Sequence, residues 1–255
     1  MKNENKKDVV GELTGLLMQI HEGKNRQTIQ KEANRLISRI RPHDITHAEN
    51  RLLESGFTAQ KVRQLSAAFI LMGVMEGQKG ELVKQLPEGH LLRKVLAEHE
   101  ILRCFIADLE EVSGSIGQMK TLSDASSEFM RLSHILEHIN AMEEHMDREN
   151  DVIFPALKHQ GWETLCRSVE NDHVYLRMAI NDLVKLIMNF RSTSFSVFKN
   201  QLSSLTKYLC SALKEHLFHE DYVLFPLAVE IIDDPGIWKK LKTICDDIDY
   251  CGIHL

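Results

Sequence analysis

Two twelve-residue stretches of the sequence match each other: EHMDRENDVIFP at residues 144–155 and EHLFHEDYVLFP at residues 215–226. Six of the twelve positions are identical, and each copy contains a histidine followed four residues later by a glutamate. On an α-helix this spacing places both side chains on one face, one turn apart. The repeat therefore predicts two helices that each present an imidazole and a carboxylate. The pairs are His145 with Glu149 and His216 with Glu220.

A second pair of matching segments extends the repeat. Residues 97–112 (AEHEILRCFIADLEEV) align with residues 171–186 (NDHVYLRMAINDLVKL), and six of the sixteen positions are identical, among them His99 with His173. Both pairs of segments occur in the same order along the chain and at nearly the same offset. Each half is therefore predicted to be a helical hairpin, with one histidine on its first helix and His-x-x-x-Glu on its second.

The composition favours a helical protein with a sizeable core. Hydrophobic residues make up 43% of the 255 residues, with only 5 prolines and 13 glycines. The net charge of −6 offers no footprint for nucleic acid or an anionic membrane. The first ten residues, MKNENKKDVV, lack the apolar core of a signal peptide, and no apolar run approaches the roughly 18 residues of a membrane span. We therefore expect a cytoplasmic protein without nucleic-acid or membrane partners.

The cysteines support the same compartment. Their number is odd, they are scattered, and no CxxC pair occurs, so neither a disulfide framework nor a zinc knuckle is expected. Each is interpreted as a small buried apolar side chain. The five are Cys104, Cys166, Cys210, Cys245 and Cys251.

Residues 1–80 are predicted to form a small helical domain. His21, His43 and His47 show no paired-ligand spacing and are expected at the surface or in caps. The stretch GQKGELVKQLPEGH, residues 77–90, is the candidate linker because it contains three glycines and a proline. The predicted helices cover residues 8–21, residues 26–40, a segment from an Asp44 cap to near Gly56, and a segment from a Thr58 cap to about Gly77.

Residues 81–255 are predicted to form an up-down-up-down four-helix bundle, so the fold class is all-α. Long amphipathic segments with short connections are typical of this architecture. Pro155 is expected to disturb the second long helix and Pro226 to kink the fourth. The predicted helices span about 89–112, 123–154, 162–191 and 194–232, and a last short helix carries Trp238, Leu241 and Ile244.

The repeat predicts a metal site with two ions. Six polar groups on core-facing stripes would be costly to bury unpaired, and metal binding removes that cost. Under pseudo-twofold symmetry each ion takes two histidines, both glutamates bridge, and a solvent-derived oxo or hydroxo bridge leaves about one position open. The alternative is a set of ordinary polar residues, and a ferritin-type site is disfavoured because Glu-x-x-His is missing. The candidate ligands are His99, His145, Glu149, His173, His216 and Glu220.

The order H…HxxxE…H…HxxxE, with Phe-Pro after each second-helix motif, resembles the hemerythrin-like (HHE cation-binding) domains over about residues 85–250. The resemblance implies a non-haem di-iron centre in a four-helix bundle. Oxygen-carrying members have a fifth histidine where this chain has Arg177, and a His-x-x-x-x-Asp on helix four, so reversible oxygen carriage is disfavoured. Four histidines with two glutamates resemble the iron-centre repair (nitric-oxide-stress) branch, with the histidines as terminal ligands and the glutamates as bridges.

The N-terminal region departs from that branch, whose small N-terminal domain usually carries adjacent cysteines. This chain has no cysteine before Cys104. Its segments IHEGKNRQTIQKEANRLISRI and NRLLESGFTAQKVRQL resemble instead the uncharacterised helical domain that precedes some hemerythrin-like modules.

Other histidines lie near the predicted site. His134 and His138 precede His145 on nearly one helical stripe, where the other half has leucines. They are candidates for partners behind the ligands, a proton path or an extra metal site, or are partly exposed histidines near the bundle end. Asp108 and Asp182 are about half a turn out of phase and are poor candidates. His90, His159 and His219 are expected at the surface.

Three functions remain open at this point. The first is a di-iron protein that responds to nitric oxide, oxygen or peroxide and supplies or repairs iron centres. The second is a sensor whose N-terminal helices pass a signal to a protein partner or within a homodimer. The third is a redox enzyme, such as a peroxidase or nitric-oxide reductase, acting at the same centre.

Overall fold

The computed structural model describes residues 8–37, 39–73 and 78–248 of the chain. Every regular element in these ranges is helical, which confirms the all-α prediction. Internal contacts divide the chain into two units. The first unit comprises Met1–Pro87 and Phe218–Asp233, and the second comprises Glu88–Leu217 and Asp234–Leu255. The predicted domain boundary between residues 80 and 81 differs from this division. The two predicted domains, residues 1–80 and 81–255, stay a prediction.

The first unit begins with five helices, and capping chemistry explains where two of them start. The Asp8 carboxylate accepts from the N–H of Gly11 at 2.9 Å, and the Thr58 hydroxyl accepts from the N–H of Lys61 at 3.3 Å. Asp44 was expected as an N-cap but lies inside the first turn of its helix. The helices are α1 (Val9–His21), α2 (Arg26–Ile37), α3 (Pro42–Glu54), α4 (Ala59–Gly73) and α5 (Gln78–Gln85).

Helix α5 corrects the linker prediction for residues 77–90. Leu82 and Leu86 are both buried and lie four residues apart, so one turn of helix can bury both. This burial offsets the helix-breaking tendency of the glycines in the segment. The predicted end of the preceding helix near Gly77 falls among residues 74–77, outside the described ranges.

The second unit is built on four helical runs, as predicted for a bundle. Its buried core takes residues from all four runs, including Ile106, Leu136, Leu183 and Leu213. The helices of these runs are α6 (Leu91–Gln118), α7 (Ser127–Asn140), α8 (Met142–Arg148), α9 (Phe154–His159), α10 (Glu163–Met188), α11 (Phe195–His219) and α12 (Phe225–Ile231). Residues from Phe218 onward in the last run, through Asp233, are grouped with the first unit.

Two helix boundaries differ from the sequence prediction. Helix α6 continues through the Ser-Gly-Ser-Ile-Gly cluster because Val112 and Ile116 remain buried four residues apart. Burying Ile116 contributes about 2 kcal/mol, which offsets about 1 kcal/mol for each helical glycine. The second long helix begins at Ser127, where the Ser126 hydroxyl accepts from the N–H of Phe129 at 3.3 Å.

A last helix, α13 (Pro235–Ile248), packs against α6 and α8 within the second unit. Trp238 and Leu241 are buried, and the ring of His90 lies 4.6 Å from that of Trp238. His90 also caps α6 by accepting from the N–H of Leu92, so the surface prediction for His90 was wrong in part. Burial lowers the pKa of this imidazole. Ile244 is half exposed.

The cysteine predictions were mostly confirmed. Cys166, Cys210 and Cys245 are buried, and burial raises the pKa of these thiols to about 12, 11 and 11, respectively. Cys104 is exposed, contrary to the prediction, and Cys251 lies outside the described residues. Within the described ranges, no helix combines the length and apolarity needed to cross a bilayer.

Candidate metal centre

The backbone widens at the same place in both copies of the repeat. Glu149–Ile153 and Glu220–Leu224 are π-helical turns, each closed by a hydrogen bond to the carbonyl of its first residue from the N–H five positions later. Pro155 or Pro226 follows each turn at the start of the next helix. Proline has no N–H and its ring clashes with the carbonyl four residues back in an α-helix. The wider turn admits the ring, so the chain continues as α9 and α12.

Each π turn begins at the glutamate of its motif. Such single turns occur frequently at functional sites. The helix therefore changes its geometry at the residue that is predicted to bind metal. The expected disruption at Pro155 is in fact this local widening, since the helical run extends to His159.

All six predicted ligands are buried at 2% relative exposure or less. His99 on α6 and His145 on α8 approach each other most closely, with their Nε2 atoms 3.1 Å apart. Two imidazole nitrogens bound to one ion at right angles, each about 2.1 Å from it, would lie about 3 Å apart. The observed separation therefore suits shared coordination.

Glu149 faces a histidine of each half. Its Oε1 lies 3.6 Å from Nε2 of His145, and its Oε2 lies 3.3 Å from Nε2 of His173. Both oxygens are buried and have no hydrogen-bond partner among the described residues. A buried carboxylate left in that condition is costly, and a cation on each oxygen would remove the cost.

The six side chains form two overlapping groups that could each hold a metal ion. Within each group, one ligand atom from every residue lies within 4.8 Å of the others. The two groups share both glutamates. The rings of His173 and His216 lie 4.9 Å apart at a steep angle, as those of His99 and His145 lie 4.8 Å apart. One group is His99, His145, Glu149 and Glu220, and the other is Glu149, His173, His216 and Glu220.

A buried ion pair orients His145. The Nδ1–H of His145 donates to Oε2 of Glu98 at 3.0 Å, which turns Nε2 toward the site. The guanidinium of Arg148, fully buried, donates to Oε1 of the same carboxylate at 2.6 Å. Burial by itself raises the pKa of Glu98, but the hydrogen bonds and charges of His145 and Arg148 outweigh it and hold this pKa below its usual value.

His173 is oriented by a different partner. Its Nδ1–H donates to Oδ1 of Asn150 at 2.8 Å, again leaving Nε2 toward the site. Asn150 directly follows Glu149, and the repeat places the buried Asp221 at the equivalent position after Glu220.

The sequence reasoning missed Glu98, Arg148 and Asn150. One signal was available, because Glu98 and its repeat counterpart Asp172 are both acidic and each directly precedes a ligand histidine. Arg148 gave no such signal, since a charged residue inside a helical motif is ordinarily solvated.

His134 and His138 were candidates either for partners behind the ligands, a proton path or an extra metal site, or for partly exposed histidines near the bundle end. His134 is exposed, and His138 is half buried with its ring stacked on Phe105 at 4.3 Å. The two rings also contact each other at 4.6 Å. Their exposure agrees with the alternative of partly exposed histidines, and any role at the metal stays a prediction.

His219 was expected at the surface, and this prediction was wrong. It is buried at 5% exposure, with Nε2 3.4 Å from Oε2 of the buried Glu49. His159 is exposed, as predicted. Arg177, at the position of the oxygen carriers' fifth histidine, donates to Oδ1 of Asp147 at 2.6 Å.

Comparison with protein families agrees with the cluster of six histidines and glutamates. The sequence profile described as the hemerythrin HHE cation-binding domain matches residues 90–228, more than half of the chain. The chain belongs to the hemerythrin HHE cation-binding family. A second profile, described as a family of unknown function (DUF438), matches residues 13–67. No curated protein matches the chain significantly.

The hemerythrin match contains all six candidate ligands and both π turns. The family assignment and the clustered histidine and glutamate groups together indicate a metal-binding site. The segment matched by the DUF438 profile runs from α1 into α4, so it lies within the N-terminal helices of the first unit.

Proposed function

We propose that the chain holds a carboxylate-bridged pair of iron ions and uses them to bind or react with nitric oxide, oxygen or peroxide. The observation that carries the proposal is the placement of Glu149. Its two buried oxygens face His145 and His173, one from each half of the repeat. A carboxylate that faces two imidazoles in this manner is suited to bridge two cations.

The donor set supports a division of the six candidate ligands between two ions. His99 and His145 would hold one ion, His173 and His216 the other, and Glu149 with Glu220 would bridge them. Imidazole suits iron, zinc, copper and nickel, while carboxylate favours harder cations, and the mixture fits iron. Four protein ligands for each ion leave coordination positions for a small molecule.

A bound iron pair would supply redox chemistry and open coordination positions for a diatomic ligand or peroxide. The chain's own residues perform three tasks around it. The complete burial of the cluster excludes bulk water. Glu98 and Asn150 hold the imidazoles of His145 and His173 with Nε2 toward the site. Arg148 donates to Glu98 and holds its carboxylate in place.

Repair or supply of damaged iron centres under nitrosative or oxidative stress is the specific role that we favour. The four-histidine, two-glutamate set supports it. Arg177 also supports this role over oxygen carriage. It stands where the oxygen carriers have their fifth histidine ligand, and its guanidinium donates to Asp147 instead.

A second candidate is a sensor that binds the small molecule without turnover and signals through the N-terminal helices. The specific observation that favours it is the grouping of Phe218–Asp233, which includes Glu220, with those helices. A shift of Glu220 on binding of the small molecule would therefore move a segment that packs in the first unit.

Metal analysis of anaerobically purified, iron-supplied protein tests whether the chain binds iron, on which both candidate functions depend. We expect about two iron atoms per chain, one for each group of four ligand side chains. Fewer than about one iron atom per chain would reject both candidate functions.

Three assays on the iron-loaded protein then separate the roles. Reactivation of a damaged iron–sulfur enzyme supports repair. Catalytic consumption of peroxide or nitric oxide supports an enzyme. Stable binding of nitric oxide without turnover, accompanied by a change in oligomeric state or in exchange of the N-terminal amides, supports the sensor.

A further inference from the structure

The helix that carries Glu220 also completes the core of the N-terminal unit. Val223, buried at 1% exposure, belongs to the same apolar cluster as Leu52 of α3 and Phe69 of α4. Phe218 packs against this cluster as well. Residues 218 and 223 flank the predicted ligand, so the side chains on both sides of Glu220 are fixed by packing in the first unit.

A buried polar pair lies within this packing. His219 is 5% exposed and Glu49 is 4% exposed, and Nε2 of His219 lies 3.4 Å from Oε2 of Glu49. The second atom of each group, Nδ1 of His219 and Oε1 of Glu49, is buried without a hydrogen-bond partner among the described residues. Each side chain therefore depends on the other for its polar contact.

A second pair fixes the far end of the same segment. Oε1 of Glu230 lies 2.7 Å from Nδ1 of His43, and the backbone N–H of His43 donates to Oε2 of Glu230 at 3.3 Å. Glu49 and His43 both belong to α3, while His219 and Glu230 lie at the two ends of the segment. Helix α3 therefore contacts this segment at two points, His219 before the π turn and Glu230 in α12.

From this arrangement we propose that Glu49 is a positioning residue for the metal centre. It holds His219, whose backbone is joined directly to Glu220, and thereby sets the start of the second π turn. This inference rests on the proposed metal function, because it assigns to Glu220 a ligand role. Since any coupling between two sites is reciprocal, metal binding must in turn stabilise the packing of α3.

Anaerobic titration of Fe²⁺ into the metal-free full-length chain tests the proposal. We expect Glu49→Ala to weaken Fe²⁺ binding about 10- to 100-fold, the range typical for groups that support metal ligands. Glu49→Gln keeps a hydrogen-bond acceptor for His219 and should restore most of the affinity. This second variant also keeps the test decisive should Glu49→Ala fold poorly.

A double-mutant cycle separates positioning from general loosening. His219→Ala should equal Glu49→Ala in its effect, and the double variant should lose no more, because both changes break one interaction. Arg51→Ala is the matched control on α3, since Arg51 forms an exposed ion pair with Asp8. We expect that control to bind Fe²⁺ as the unaltered chain does.

Hydrogen exchange provides a second readout. Iron loading should slow amide exchange in α3 of the unaltered chain, and it should not do so in Glu49→Ala. Unchanged affinity in Glu49→Ala, or an equal loss in Arg51→Ala, overturns the inference while leaving the metal function intact. An unaltered chain that binds no iron overturns both, so the two failures are distinguishable.

Discussion

The two copies of the twelve-residue motif share their backbone and differ in what supports them. Both place a histidine four residues before a glutamate that begins a π turn, and Phe-Pro follows that turn. At the position directly before the glutamate, the first copy has Arg148 and the second has His219. Arg148 donates to Glu98, which also holds His145, whereas His219 contacts Glu49 of the N-terminal unit.

This difference shows which parts of a duplicated site are free to change. The candidate ligands and the widened turn are tied to one geometry, because both glutamates belong to both groups that could hold a metal ion. A side chain one position before each glutamate only needs a buried partner of opposite polarity. The first copy finds that partner on the neighbouring helix of its own hairpin, and the second finds it on α3.

The largest effect should come from removing a shared glutamate. Glu149→Ala or Glu220→Ala deletes a ligand from both groups at once, so we expect loss of most bound iron. Metal content after anaerobic reconstitution and desalting measures this. His134→Ala serves as the control, because His134 is exposed and should leave metal content unchanged.

That comparison can also fail in an informative manner. Equal metal loss from all three variants would contradict the ligand assignment. Retention of one ion in a single glutamate variant would show that the two glutamates are not equivalent bridges.

An intermediate effect should distinguish the two supporting pairs. Glu98→Ala removes the carboxylate that pairs with the buried guanidinium of Arg148, which costs about 3–5 kcal/mol of unfolding free energy. Glu49→Ala removes the hydrogen-bond partner of His219 Nε2, and the loss of this hydrogen bond costs about 1–3 kcal/mol. Urea unfolding of the metal-free proteins measures both values.

The conservative changes act as controls for this pair. Glu98→Gln and Glu49→Gln retain an acceptor and should each be milder than the matching alanine variant. If Glu49→Ala proved as destabilising as Glu98→Ala, the proposed contrast between a buried guanidinium and a buried imidazole would be wrong.

The smallest effect should come from the repeated arginines, Arg103 and Arg177. Each forms an ion pair with a partly exposed carboxylate, Glu100 or Asp147. Replacing either with alanine should change the unfolding free energy by less than about 1 kcal/mol. Iron content should also stay the same, and a drop confined to Arg177→Ala would indicate that this position supports the site after all.

Local sequence patterns accounted for the six candidate ligands because their spacing is set by helix periodicity. His145 and Glu149 had to share a face at a spacing of four, and the repeat supplied His99 and His173 in the same register. The burial of all six residues agrees with that reasoning. The failures concern Gly-rich or charged segments, such as α5 and Arg148, where burial overrides local preference.

The sequence by itself determined the helical class, the two hairpins and the set of six clustered side chains, since all three follow from spacing along the chain. Only the tertiary structure decided that Glu149 faces both halves, that Glu98 and Asn150 orient the imidazoles, and that the segment after Leu217 belongs with the N-terminal helices. Those features depend on contacts between residues far apart in sequence, and no local period encodes them. The buried pair of His219 and Glu49, separated by 170 residues, is the clearest example.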